Sequence, residues 1–88
     1  MTALEPDVKA LGLEIATLRR NQARSIDYLA EAAGVHRKTI IQIEAGRVSA
    51  RISTLHGIAH ALGVPLTELV APVCGEHADT VHNPTELI

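Results

Sequence analysis

The sequence predicts an all-α fold, a compact five-helix domain, and three observations support this. Apolar residues recur at helical spacing in five segments, glycines follow three of these segments, and the apolar side chains are mainly Leu, Ile, Val and Ala. The chain has 88 residues and a single aromatic residue, Tyr28, so a core of aliphatic side chains in small, closely packed helices is expected. A chain of this length holds one domain, to which dimerisation can add stability.

The first predicted helix begins near Pro6, which suits a first helical turn, and ends near Asn21. Residues 1–6 are expected to form an N-terminal tail. One face of this helix carries the apolar residues Val8, Leu11, Ile15 and Leu18.

The second and third helices are predicted over residues 26–33 and 36–45. Ser25 suits the N-cap of the second helix, Gly34 follows its end, and Gly46 is the expected C-cap of the third. Two short helices joined by a glycine turn are typical of a DNA-reading helix-turn-helix, with an αα-hairpin that binds nothing as the alternative. The apolar positions are Leu29, Ala30, Ala33, Val35, Ile40 and Ile43.

Ser53 is expected to cap a fourth helix that ends at Gly63, and Pro65 to open a short fifth. From residue 72 onward the composition changes to Pro, Gly, His, Asp, Thr and Asn, which favours an extended tail. The predicted division is therefore a helix-turn-helix domain over 7–71 and a tail over 72–88 that serves dimerisation or a partner. The inward residues are Leu55, Ile58, Ala59, Leu62, Leu66, Leu69 and Val70.

The charges are unevenly distributed. The formal net charge is −2, yet seven of the eight basic residues lie between positions 19 and 51, where only three acids occur. A basic segment within an acidic chain indicates contact with phosphates, with a solvated surface as the alternative. The seven basic residues are Arg19, Arg20, Arg24, Arg37, Lys38, Arg47 and Arg51.

Several other functions lack support in the sequence. We expect no membrane partner, a cytoplasmic location and no enzyme, because a membrane-spanning run, a leader and phosphate-loop or nucleophile motifs are missing. Cys74, His77 and His82 have side chains that bind zinc, but a second half-site is missing, so neither a metal nor another cofactor is predicted. Cys74 has no second cysteine with which to form an internal disulfide.

Residues 11–70, about two thirds of the chain, resemble the lambda-repressor-like domain of the Cro/cI family, the xenobiotic-response-element type of helix-turn-helix regulator. Four segments carry the resemblance: LGLEIATLRR, LAEAAGV, TIIQIEAG and TLHGIAHALGVPLTELV. It implies that the third helix enters the major groove with its N-terminus first. The residues then expected to read bases are His36, Arg37, Lys38, Thr39, Ile41 and Gln42.

Two of these residues keep an alternative role. His36 can act as a cap at the helix start, and Ile41 can either contact a thymine methyl group or pack at the edge of the core. For the others, Arg37 suits guanine, Gln42 suits adenine, and Lys38 suits guanine or phosphate.

The resemblance also implies roles beside the third helix. Relatives pair the residues that match Arg19 and Glu44, so a structural ion pair is expected here. Many relatives carry a phosphate-binding glutamine where this chain has Ile26, which leaves Ser25 and the helix amides for that phosphate. The other expected phosphate contacts are Arg24, Arg47, Ser49 and Arg51.

The expected partners are double-stranded DNA and a second copy of the chain, since one such domain covers too few base pairs to select a site. The dimer interface is predicted at Leu66, Val70 and Val73, with Leu87 and Ile88 also available. The function predicted is that of a transcription regulator, a repressor or a controller protein. The alternative is an antitoxin-like or adaptor module that binds a protein through its tail.

Overall fold

The computed structural model describes residues 6–74. Within this range the chain forms α1 (Val8–Asn21), α2 (Ile26–Ala33), α3 (Arg37–Glu44), α4 (Ile52–Leu62) and α5 (Leu66–Val70), followed by a 3₁₀ helix, Ala71–Cys74. The predicted all-α class with five α-helices is confirmed for the described residues. No helix among them combines the length and the apolar character that crossing a lipid bilayer requires.

Side chains and glycines define most helix ends as local rules predict. The Ser25 hydroxyl accepts a 2.9 Å hydrogen bond from the Tyr28 amide at the start of α2, and the Asp7 carboxylate does the same for the Ala10 amide in α1. Gly34 closes α2 with a left-handed φ of 74°. These contacts satisfy amides and carbonyls that the helix itself leaves unpaired.

The ends of α3 differ by one residue from the prediction. His36 is the N-cap and Ala45 the C-cap, and Gly46 follows with a φ of 72°. The Arg47 amide donates to the Gln42 carbonyl at 3.0 Å, which completes a glycine-type helix stop.

The prediction that Ser53 caps α4 is wrong. The Leu55 amide donates to the Arg51 carbonyl at 2.9 Å, so Arg51 is the N-cap and Ser53 lies inside the first turn. The Arg51 side chain makes no capping hydrogen bond. The helix therefore starts without the side-chain cap that the sequence suggested.

The core forms where α2 packs on α4 and α1 packs on α3. At Gly12, α1 approaches the end of α3 so closely that an added Cβ would overlap the Ile43 carbonyl oxygen and lie 2.6 Å from that of Glu44. A glycine is therefore required for this crossing. The fully buried large side chains are Ile15, Leu29, Ile40, Ile43, Ile58 and Leu69.

The helical packing continues past the predicted boundary at residue 72. Pro72 and Val73 belong to the 3₁₀ helix, Val73 packs against the core, and its carbonyl accepts a 2.9 Å hydrogen bond from the Asp7 amide. The reason for the difference is that Val73 finds apolar partners and the start of α1 needs an acceptor. Residues 1–5 and 75–88, including His77, His82, Leu87 and Ile88, lie outside the described part of the chain.

Candidate nucleic-acid interface

The outward face of α3 carries the side chains expected to read bases. Ile40 and Ile43 are buried, whereas Arg37, Lys38 and Ile41 are exposed and Gln42 is half-buried. Because helical spacing puts residues three and four apart on the same face, the exposed side chains form a continuous stripe along the helix. We define the outward stripe of α3 as Arg37, Lys38, Ile41, Gln42 and Ala45.

Ile41 lies within this stripe, between Arg37 and Ala45. Its side chain is 37% exposed and does not belong to the apolar cluster that the described residues form. Almost two thirds of Ile41 is covered and the rest is open, so thymine contact and packing at the edge of the core both stay compatible with its position. An exposed isoleucine between Arg37 and Ala45 suits contact with a thymine methyl group.

Thr39 and His36 lie on a different side of α3. Both line an open cleft of about 440 Å³, which Ser49 and Arg51 of the α3–α4 connection also line. His36 occupies the N-cap, but its side chain makes no capping hydrogen bond, so a side-chain capping role is not observed. The structure thus groups Thr39 and His36 with residues expected to contact phosphates rather than with the outward stripe.

The expected phosphate contacts flank α3 on two sides. Arg51 shares the cleft with Thr39, while Ser25 is the N-cap of α2, the helix whose Asp27 contacts Arg37. Thr39 and Arg37 are two residues apart, which places them on opposite sides of a helix. A duplex in contact with α3 therefore has candidate phosphate partners along both of its flanks.

Two of these candidates also have structural partners. The Ser25 hydroxyl oxygen accepts a hydrogen bond from the Tyr28 amide, which leaves the hydroxyl proton free to donate to a phosphate. The Arg24 guanidinium lies 4.3 Å from the centre of the Tyr28 ring, a cation–π distance. Arg47 and Ser49 are exposed on the connection after α3, and Ile26 packs against the core.

Glu44 is withdrawn from the outward stripe by Arg19. Arg19 Nε donates to Glu44 Oε2 at 2.7 Å and Nη2 donates to Oε1 at 3.0 Å, with side-chain exposures of only 11% and 9%. The hydrogen bond from Arg19 to Glu44 raises the pKa of Arg19, against an opposing effect of burial. Arg19 Nη1 also donates to the Arg24 carbonyl at 2.9 Å. One arginine of α1 therefore connects α3 and the α1–α2 turn.

Asp27 contacts Arg37 across the helix-turn-helix, a relationship that the sequence did not predict. Its Oδ1 atom lies 2.9 Å from Arg37 Nε, and both side chains are exposed. In the sequence, Asp27 is distinguished only as one of the three acids within the basic segment. Since spacing rules apply within one helix, no sequence pattern indicates that these two residues of successive helices meet.

The structure describes only some of the residues predicted for the dimer interface and considered for metal binding. Val70 and Val73 line one apolar groove, and Leu66 packs against the core without lining that groove. Of the Cys74, His77 and His82 side chains, none belongs to the described part of the structure.

Known helix-turn-helix proteins are similar to this chain. A family model described as "Helix-turn-helix" (HTH_3) matches residues 15–69. No protein of curated function matches the chain by sequence.

Solved structures share the fold. The restriction-modification controller protein C.AhdI from Aeromonas hydrophila has a TM-score of 0.70 and 25% identity, over 72% of this chain and 96% of that one. The clp gene regulator ClgR from C. glutamicum has a TM-score of 0.69 and 26% identity, over 77% and 88%. An HTH_3 family transcriptional regulator from Vibrio cholerae has a TM-score of 0.68 and 28% identity, over 77% of this chain and 38% of that one.

Proposed function

The chain belongs to the HTH_3 helix-turn-helix family, and from this premise we propose that it is a DNA-binding transcription regulator that acts as a dimeric repressor or controller protein on a palindromic operator. Its similarity to the controller protein C.AhdI and to the gene regulator ClgR supports regulation as the role. We place its activity in the cytoplasm, where such a regulator meets DNA.

The observation that carries this proposal is the absence of any acid from the outward stripe of α3. The only acid on α3 is Glu44, and Arg19 neutralises it away from the stripe. The stripe then offers two basic side chains, of which Arg37 is paired with Asp27 of α2, together with an amide and an apolar side chain. These groups suit the guanine, adenine and thymine edges of the major groove.

The residues expected to act on DNA divide into two groups. Arg37, Lys38, Gln42 and Ile41 would read base edges, since they belong to the outward stripe. Phosphates would fix the orientation of the domain from both flanks of α3. The residues proposed for phosphate contact are Ser25, Arg24, Arg47, Ser49 and Arg51, together with His36 and Thr39 in the cleft.

An apolar groove supports the dimer. It has a volume of about 270 Å³, Val70 and Val73 line it, and Ile52 in the same groove is 67% exposed. We propose that a second copy of the chain covers this groove, because two half-sites are needed to select an operator. Ser49 and Ala50 line both this groove and the cleft beside α3, so the partner would lie next to the phosphate-contacting connection.

Selection from a pool of random duplexes tests the DNA-binding role. Enrichment of one palindrome with half-sites about one helical turn apart is the expected result. No enrichment, even at low salt, would contradict the proposal and favour the protein-interaction module. Sedimentation velocity tests the dimer separately, and a monomer at tens of micromolar would count against it.

A further inference from the structure

The ion pair between Asp27 and Arg37 connects the start of α2 to the start of α3. Asp27 Oδ1 lies 2.9 Å from Arg37 Nε, and the two side chains are 75% and 61% exposed. Within residues 6–74, no other acidic side chain lies at ion-pair distance from Arg37. The pair therefore lies on the surface of the helix-turn-helix, at the end of α3 expected to enter the groove first.

The chemistry of the guanidinium group gives this geometry a use. Arginine carries five N–H donors in a rigid plane, and a guanine O6/N7 edge takes two of them. A carboxylate on the Nε side leaves the terminal nitrogens Nη1 and Nη2 to donate to a base. The ion pair also restricts the rotamers of Arg37 in the free protein, so that this long side chain loses less conformational entropy when it binds DNA.

We propose that Asp27 is a specificity-determining positioning residue, which holds the Arg37 guanidinium in the orientation that reads guanine. This inference rests on the proposed DNA-binding function. Asp27 itself touches no base in this role and acts through Arg37.

The negative charge of Asp27 has a second effect in the same direction. At a site without the guanine, Asp27 neutralises the positive charge of Arg37, which would otherwise attract a phosphate. The Asp27 carboxylate also repels the phosphates of the DNA backbone. Asp27 thus weakens non-specific binding while it supports the specific contact. A carboxylate with only a structural role in α2 would change the affinity for all duplexes by the same factor.

The test compares wild-type protein with Asp27→Asn on the duplex enriched from the random pool. The guanine in question is first located, as the position where 7-deazaguanine weakens wild-type binding but not binding by Arg37→Ala. At that position Asp27→Asn should reduce discrimination about two- to fivefold. Its binding to unrelated duplexes should become tighter, with a salt dependence steeper by up to about one unit.

Three controls separate the positioning role from a general effect of charge, from action through another group and from loss of folding. Glu31 lies one turn further along the same face of α2, so Glu31→Gln removes an equal charge and should leave discrimination unchanged. In an Arg37→Ala background, Asp27→Asn should have no further effect on discrimination at that guanine. Thermal unfolding should show Asp27→Asn folded, since the pair is exposed.

Three results would overturn the inference, and they are distinguishable. Unchanged discrimination by Asp27→Asn overturns the positioning role alone. An equal loss in the Arg37→Ala background shows that Asp27 acts through another group, which also overturns it. An absence of any sequence preference in the wild-type protein overturns the proposed function and this inference together.

Discussion

Arg19 and Glu44 are 25 residues apart in the chain, yet the Arg19 guanidinium donates to both carboxylate oxygens of Glu44. The two side chains are largely buried between α1 and α3. Such two-point ion pairs fix orientation as well as distance. The pair therefore sets the position of α3 relative to α1 and keeps a negative charge away from the outward stripe.

Replacing Glu44 should destabilise the fold. Glu44→Ala leaves the Arg19 guanidinium with fewer partners in a partly buried place, so we expect the free energy of unfolding to fall by about 1–3 kcal/mol. The exposed neighbour provides the control, and Arg20→Ala should stay within about 0.5 kcal/mol of wild type.

Because the pKa of Arg19 is raised, the contribution of Arg19 to stability is complete below the ordinary arginine pKa and disappears only in more alkaline solution. Urea unfolding followed by circular dichroism should therefore give the same difference at about pH 7 and about pH 10. A Glu44→Ala protein as stable as wild type would contradict this.

The close crossing of α1 and α3 should not tolerate a methyl group at Gly12. A Cβ there would overlap backbone oxygens of residues 43 and 44, which cannot move as a side-chain end can. Although alanine favours helices, we expect Gly12→Ala to lower the unfolding free energy by about 1–3 kcal/mol. At Gly57 the nearest atom to a Cβ is Ala33 Cα at 3.1 Å, so Gly57→Ala should cost less. Equal effects of the two substitutions would refute the crossing as the cause.

Ala23 should be replaceable by glycine with a gain in stability. It is exposed in the turn between α1 and α2 and has a φ of 56°, a left-handed conformation that is unfavourable for alanine. Ala23→Gly should raise the unfolding free energy by about 0.5–1 kcal/mol, since relief of strain exceeds the added freedom of the unfolded chain. Ala32→Gly, an exposed position in α2, should have the opposite sign. Thermal melts of both variants provide the comparison, and a loss at both sites would count against it.

The apolar groove should control dimerisation through Ile52. Because Ile52 is 67% exposed in the monomer, Ile52→Glu should leave folding intact but raise the dimer dissociation constant by about tenfold or more. Leu13 is 63% exposed on α1 and does not line the groove, so Leu13→Glu is the matched control. Sedimentation equilibrium measures both. A dimer unaffected by Ile52→Glu, or weakened equally by Leu13→Glu, would place the interface elsewhere.

Arg51 and Arg37 should respond differently to substitution. Arg51→Ala should weaken binding to all duplexes alike and flatten the salt dependence by about one unit, because it removes one phosphate contact. Arg37→Ala should relax discrimination at a single base pair, by about 1–3 kcal/mol. Titrations of the selected and an unrelated duplex at several salt concentrations distinguish the two patterns. If Arg37→Ala keeps the full sequence preference, the role of α3 as the reading helix is wrong.

Helix bounds depended mostly on signals within a few residues. The range predicted for the second helix, 26–33, is that of α2, because Ser25 and Gly34 supply the cap and the left-handed turn locally. Local rules failed at Ser53, because the N-cap of α4 is Arg51, two residues earlier. A hydroxyl near a helix start is a preference, and the backbone hydrogen bond to Arg51 determines which residue is first.

The sequence alone determined the helices, the aliphatic core and the basic segment that contains the outward stripe of α3. Only the tertiary structure decided that Asp27 meets Arg37, that Thr39 lies in the cleft beside Arg51, and that Ile52 stays exposed in an apolar groove. The physical reason is that periodicity fixes which face of a helix is buried, whereas the meeting of residues on different helices depends on crossing angles and distances. In this protein the crossing angles and distances depend on contacts between residues far apart in the chain, such as Gly12 of α1 and the end of α3.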